Sequence, residues 1–185
     1  MKNFKTTFLL LIIVALFSCK DEEPPSPFAD IEGTWMAIED SFNMNTSSTS
    51  PDGQTIASET DFQSNDFNYE LTIDDSNWTA TGDYNQIAMT ITDTGTLEEE
   101  HEYTNEAKSG GFNKIGDKIR ISTALFNHTF FGSDFNEFTK SKDFDYEING
   151  AGELIFSFEE TVNETPAPGT TFTSTVVTAS KWIRK

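Results

Sequence analysis

One cysteine, two histidines and only 12 basic side chains against 31 acidic ones are spread over 185 residues. Each scarcity removes a class of activity. With a single thiol the chain cannot close a disulfide on itself, so the fold must hold by packing. His101 and His128 alone supply too little imidazole for histidine-based zinc sites or for nucleophile–base pairs. Lysine and arginine nowhere cluster, and a formal charge of −19 opposes a phosphate backbone, so nucleic acid is not an expected partner. The spacing of an EF-hand is missing around Asp74, Asp93 and Asp134. Among 31 carboxylates nothing singles out a glycosidase pair. These absences point away from an enzyme and toward a chain with no cofactor. The carboxylate excess suits solubility and mutual repulsion at a crowded surface, with divalent-cation binding as the other reading.

Long apolar runs are equally scarce. The longest, Phe8 to Phe17, has ten residues, about half of the roughly 20 that a membrane-spanning helix needs. Preceded by Lys2 and Lys5, it has the form of a secretory signal. The lone cysteine follows at once, and Leu16-Phe17-Ser18-Cys19 resembles the lipobox of bacterial lipoproteins. That resemblance implies cleavage before Cys19, a diacylglyceryl group on its thiol and an acylated amine, a stable anchor because more than one chain is buried. Lys20-Asp21-Glu22-Glu23 is similar to a lysine-then-acidic export signal of surface lipoproteins in Gram-negative bacteria. It implies the outer face of the outer membrane. Loss of residues 1–18 takes two of the 12 basic and none of the 31 acidic side chains, moving the charge from −19 to −21. Such a surface repels anionic headgroups, so attachment falls to the lipid. Pro24, Pro25 and Pro27 make residues 19–29 an extended tether.

Residues 30–185 then form one domain, long enough to bury roughly 70% of its unfolded surface. The domain is expected to be a monomer. Period-two alternation predicts strands: Phe67, Tyr69, Leu71 and Ile73; Ile87, Met89 and Ile91; Ile119 and Ile121; Leu154, Phe156 and Phe158. Trp78 to Tyr84 forms a further short strand after the turn Asp74-Asp75-Ser76-Asn77. Gly110-Gly111, Gly116-Asp117 and Asn149 to Gly152 supply other breaks. Asn43 to Asp61, rich in Ser and Thr and without alternation, reads as a long loop. Residues 124–142 are irregular and hold a short helix or a phenylalanine-lined loop. About eight to ten consecutive antiparallel strands favour an all-β, up-and-down barrel, since closure removes both edges.

Three motifs carry a family resemblance. Ile31-Glu32-Gly33-Thr34-Trp35 resembles the Gly-x-Trp motif that opens lipocalins, Leu71 to Tyr84 is similar to the second hairpin of bacterial lipocalin-like domains, and Lys181-Trp182-Ile183-Arg184 resembles their basic last strand. The resemblance implies that Gly33, Trp35 and Arg184 form the closed end of the barrel, with the guanidinium over the indole. Many secreted lipocalins carry a disulfide, which this chain lacks.

The remaining candidates concern binding. Phe126, Phe130, Phe131, Phe135 and Phe138 crowd into one segment. They either fill a barrel core or line the mouth of a site for a small hydrophobic ligand, with residues 43–61 as its lid. A glycan-binding or adhesive surface using exposed rings such as Trp78 or Tyr84 is the alternative, and a purely structural surface lipoprotein a third. The run Glu98-Glu99-Glu100-His101-Glu102 is the one constellation resembling a metal site. On a strand it would split, Glu98, Glu100 and Glu102 to one face and Glu99 and His101 to the other, so no bound metal is expected.

Overall fold

The computed structural model describes residues 28–185. Ten strands follow in order: β1 (Gly33–Thr49), β2 (Thr55–Asp74), β3 (Asn77–Thr92), β4 (Gly95–Ile115), β5 (Lys118–Ile121), β6 (Thr129–Phe130), β7 (Ser133–Asp134), β8 (Asp143–Ile148), β9 (Glu153–Ala167) and β10 (Thr170–Arg184). One turn of 3₁₀ helix spans Asn136–Phe138. Eight strands close an antiparallel up-and-down barrel in the order β1-β10-β9-β8-β5-β4-β3-β2, while β6 and β7 pair only with each other. The architecture is compatible with a lipocalin-like fold.

Strand length shapes this barrel. β5 and β8 have 4 and 6 residues, whereas the other six barrel strands have 15 to 21. The barrel therefore closes around one end only. Past β5 and β8 the six long strands continue as a sheet from β9 to β4, and residues 122–142 run across its inner side, with Phe131 bonded to Glu99 of β4 and Lys142 paired with Glu160 of β9. At the closed end lie the turns after β2, β4 and β8, together with Phe28 and Ile31, both fully buried. The Phe28 ring lies 6.1 Å from Phe112, so the packed body takes in a residue that the sequence reading leaves in the tether.

Three local expectations are corrected. Residues 43–61 are not a loop: they are the end of β1, a five-residue turn and the start of β2, paired from Asn43↔Asp61 to Thr49↔Thr55. Beyond Met44, which packs against the core, and buried Thr60, the paired strands leave the barrel core, so hydrophobic alternation lapses and hydroxyl pairs hold the register instead. Thr46 and Ser58 are 2.7 Å apart, and Thr49 and Thr55 2.9 Å. Ile87, Met89 and Ile91 belong to the same strand as Trp78 and face outward, Ile87 and Ile91 exposed, while Gln86 and Ala88 are buried. Gly110-Gly111 is no break either, because β4 runs through it. Trp78 crosses this point so closely that a Cβ on Gly110 would meet its Nε1 at 2.8 Å.

Gly82 marks the bend between the closed end and the long sheet. Register shifts fall at Gly82/Tyr84 in β3 and at Asn65/Asn68 in β2. With φ at +129°, Gly82 lets the two strands approach until a Cβ would lie 1.9 Å from the Asn68 carbonyl oxygen.

Candidate functional site

The barrel interior is filled by its own chain. Residues 124–128 thread into it, and Phe126 meets Trp182 at 5.3 Å, Tyr69 at 5.2 Å and Tyr84 at 5.2 Å. Above it the His128 ring packs between Phe42 at 5.0 Å and Phe62 at 5.4 Å, and Phe135 lies 5.1 Å from Phe62. A non-strand segment inside a core brings main-chain groups that must be satisfied. Inward-facing polar residues of β2, β3 and β4 do this. Lys108 Nζ donates to the Ala124 carbonyl at 3.2 Å, Tyr69 Oη to the Leu125 carbonyl at 2.9 Å and Gln86 Nε2 to the Asn127 carbonyl at 2.9 Å. The Asn127 N–H donates in turn to Tyr84 Oη at 2.7 Å, and its Nδ2 to Glu106 at 2.8 Å.

Electrostatics follow burial. Desolvation pushes the Tyr69 and Tyr84 phenols well above their ordinary range, and holds the Lys108 ammonium down to about 8, with Glu106 and Asp40 pulling the other way. Asp40 lies 3% and His128 3% exposed, joined by an Nε2–Oδ2 contact of 3.3 Å. Ser64 Oγ donates to the same carboxylate oxygen at 2.7 Å. Beside this pair is a cavity of about 20 Å³ lined by Asp40, His128, Thr178 and Ser180 among others, room for about one water and for no organic ligand. The network pins the inserted segment to β1. It contains no serine bonded to an imidazole, so it lacks the layout of a nucleophile and its base.

The space large enough for a ligand lies outside the filled interior, at the wide end. A trough of about 390 Å³ runs between the 3₁₀ turn and β1, β9 and β10. Met44, Phe138, Val162, Phe172 and Val176 give it apolar walls, and Glu137, Lys142, Glu160 and Glu164 stand at its polar margin. Lys142 is paired with Glu160 and lies over the Phe158 ring at 5.7 Å. A second depression of about 410 Å³ is lined by Asn45, Ser58, Glu59, Thr173 and Thr175 together with Ala57 and Ile91.

Of the five phenylalanines singled out in the sequence, only Phe138 lines the trough. Phe126 and Phe130 are buried core, Phe135 packs on Phe42 and Phe62, and Phe131 is 61% exposed. Trp78 and Tyr84, the candidate stacking platforms for a glycan, are each 1% exposed and offer no face to solvent. Trp35 is buried at the closed end with its Nε1 donating to the Ile31 carbonyl at 2.8 Å, and Arg184 Cζ lies 4.6 Å from its ring centroid. Gly33, with φ at +125°, leaves space beside that guanidinium. Glu98, Glu100 and Glu102 are exposed; Glu99 and His101 are half-buried on the other face, 3.1 Å apart. Among the described residues no three metal-ligating side chains converge. Cys19 and the tether to residue 27 lie outside the described residues.

Lys108, Gln86, Asp40 and the trough residues of β9 and β10 are missing from the sequence reading. For Asp40 the signal was its polarity on the same strand face as Phe42; Gln86 and Lys108 offered none, since Ile87 and Ile91 mark the opposite face of β3 as apolar and Lys108 shares its face with Glu106. For the trough there was none, because it forms only where the 3₁₀ turn meets three distant strands. Compared with known family models, curated proteins and solved structures, the chain matches none.

Proposed function

We propose that this chain is a lipid-anchored surface binding protein of lipocalin-like type, attached through Cys19, that takes a small apolar ligand at the wide end of its barrel. The observation that carries the reading is the contrast between an interior with room for about one water and a trough of about 390 Å³, within the roughly 300–1,000 Å³ of small-molecule sites. Five apolar walls supply the burial energy. The margin favours a ligand whose polar end donates hydrogen bonds, since Lys142 already engages Glu160 whereas Glu164 has no partner among the described residues. An anionic head would meet a chain of net charge −19.

The test uses N-phenyl-1-naphthylamine, an uncharged apolar fluorophore that brightens on leaving water. Phe138 and Val162 are 39% exposed each, so Phe138→Asp and Val162→Asp alter the trough without disturbing the core. Each should weaken binding roughly tenfold, about 1.4 kcal/mol. Binding unchanged in both variants would place the probe elsewhere and refute the reading.

A further inference from the structure

The free edge of β4 carries a second inference, independent of the trough. Along this strand the inward-facing residues direct their main-chain groups to β3 and the outward-facing ones away from it, because handedness couples the two directions. Two observations fix the assignment. The N–H of buried Phe112 donates to the Ser76 carbonyl, just ahead of β3, while Gly111 exchanges hydrogen bonds with Ser122 on the opposite side. Glu98, Glu100 and Glu102 face outward, so their N–H and C=O groups point away from β3. β5 pairs with β4 only from Phe112 to Ile115, and between residues 96 and 104 no backbone hydrogen bond reaches β4 from that side among the described residues.

An unpaired strand edge is a template for another strand, and proteins normally blunt it. β9, the opposite edge of the long sheet, is blunted by Pro166 and followed by Pro168. Residues 96–104 of β4 contain no proline. What guards them is charge. The carboxylates of Glu98, Glu100 and Glu102 are exposed and have no hydrogen-bond or ion-pair partner among the described residues. We infer that the edge of β4 at residues 96–104 binds an extended basic segment of another polypeptide as an added strand.

Charge selects that occupant. A second copy of this chain would set carboxylates against carboxylates across the new pair, which is destabilising. A partner with Lys or Arg at every second position would instead put each cation beside Glu98, Glu100 or Glu102 on the outer face. Its alternate residues would fall on the inner face, where Leu97 is 56% and Phe131 61% exposed, and where the Phe131 N–H holds Glu99 at 2.6 Å. The partner therefore alternates basic with apolar residues, joining main-chain affinity to side-chain selection.

A fluorescein-labelled seven-residue peptide alternating lysine with valine, lysine at both ends, tests this on the full chain by anisotropy at low salt. The added strand runs antiparallel to β4, like every other pair in the sheet, so the lysine N–H groups face β4 and the valine N–H groups face solvent. N-methylation of the lysines should therefore weaken binding roughly tenfold or more, while N-methylation of the valines leaves it within about twofold. Glu98→Lys, Glu100→Lys and Glu102→Lys combined, with far-UV circular dichroism confirming an intact barrel, should reverse the preference toward a glutamate–valine peptide. If that variant fails to fold, the methylation contrast on the unaltered chain decides. Equal affinity of both methylated peptides, absence of binding, or a dimer of this chain that the peptide dissociates would each overturn the inference.

Discussion

Removing the indole of Trp35 probes the closed end of the barrel most directly. Trp35 is 1% exposed and its Nε1 hydrogen bond satisfies the Ile31 carbonyl. Trp35→Ala therefore leaves a cavity and an orphaned carbonyl, for a loss of about 3–5 kcal/mol. Arg184 is exposed; it stacks at 4.6 Å on the indole and donates to the Asp30 carbonyl at 3.1 Å. Arg184→Ala should cost about 1 kcal/mol, the sum of a partly solvated cation–π contact and one hydrogen bond. Because the side chains touch, the two losses should not add. Once the indole is gone, the guanidinium has only the carbonyl left, so the double variant should be more stable than the sum of the singles predicts by about 0.5–1 kcal/mol. Urea unfolding followed by circular dichroism measures all four corners of the cycle. Should Trp35→Ala lie too low to show a transition, Trp35→Phe preserves a ring and gives a smaller but measurable coupling. A coupling of zero within error, or an Arg184 variant as damaging as the Trp35 one, would refute the stacked arrangement as a source of stability.

Burial lowers the Lys108 ammonium from 10.5 to about 8, so between those values the unfolded chain binds a proton that the native chain does not, and stability from this group rises with pH. Relative to Lys108→Met, the native protein should gain up to about 1.4 kcal/mol per pH unit between roughly pH 8 and 10; a pH-independent difference in urea midpoints would refute the burial argument. Cys19→Ser should abolish incorporation of an alkyne-palmitate label in a bacterial host, and persistent labelling would remove the lipid anchor from the proposed function.

Where alternation in the sequence coincided with the barrel core, the strands were legible. Tyr69, Leu71 and Ile73, and Leu154 and Phe156, are buried on one face as a period of two requires. Past the core that rule loses its cause. Asn43 to Asp61 looks like loop because few of its apolar side chains pack on the core, Met44 doing so while Ile56 is exposed, and cross-strand threonine and serine pairs are invisible until the register is known. The apolar positions Ile87 and Ile91 pointed to the wrong face for a related reason: Gln86 is buried because it bonds a carbonyl of a segment 41 residues away.

What the sequence alone determined is the class of fold, since period-two patterning and short turns are local features; that Trp35 meets Arg184 was implied by the family resemblance, not by the pattern of the chain. Tertiary structure alone decided whether the barrel is hollow. Phe126 and His128 would serve equally as walls of a mouth or as filling. They became filling because Lys108, Tyr69, Tyr84 and Gln86 reach the main chain of residues 124–127, and a segment whose polar groups are satisfied can stay where water is excluded. The same insertion moved the ligand-sized space to the wide end, among residues that no spacing in the chain brings together.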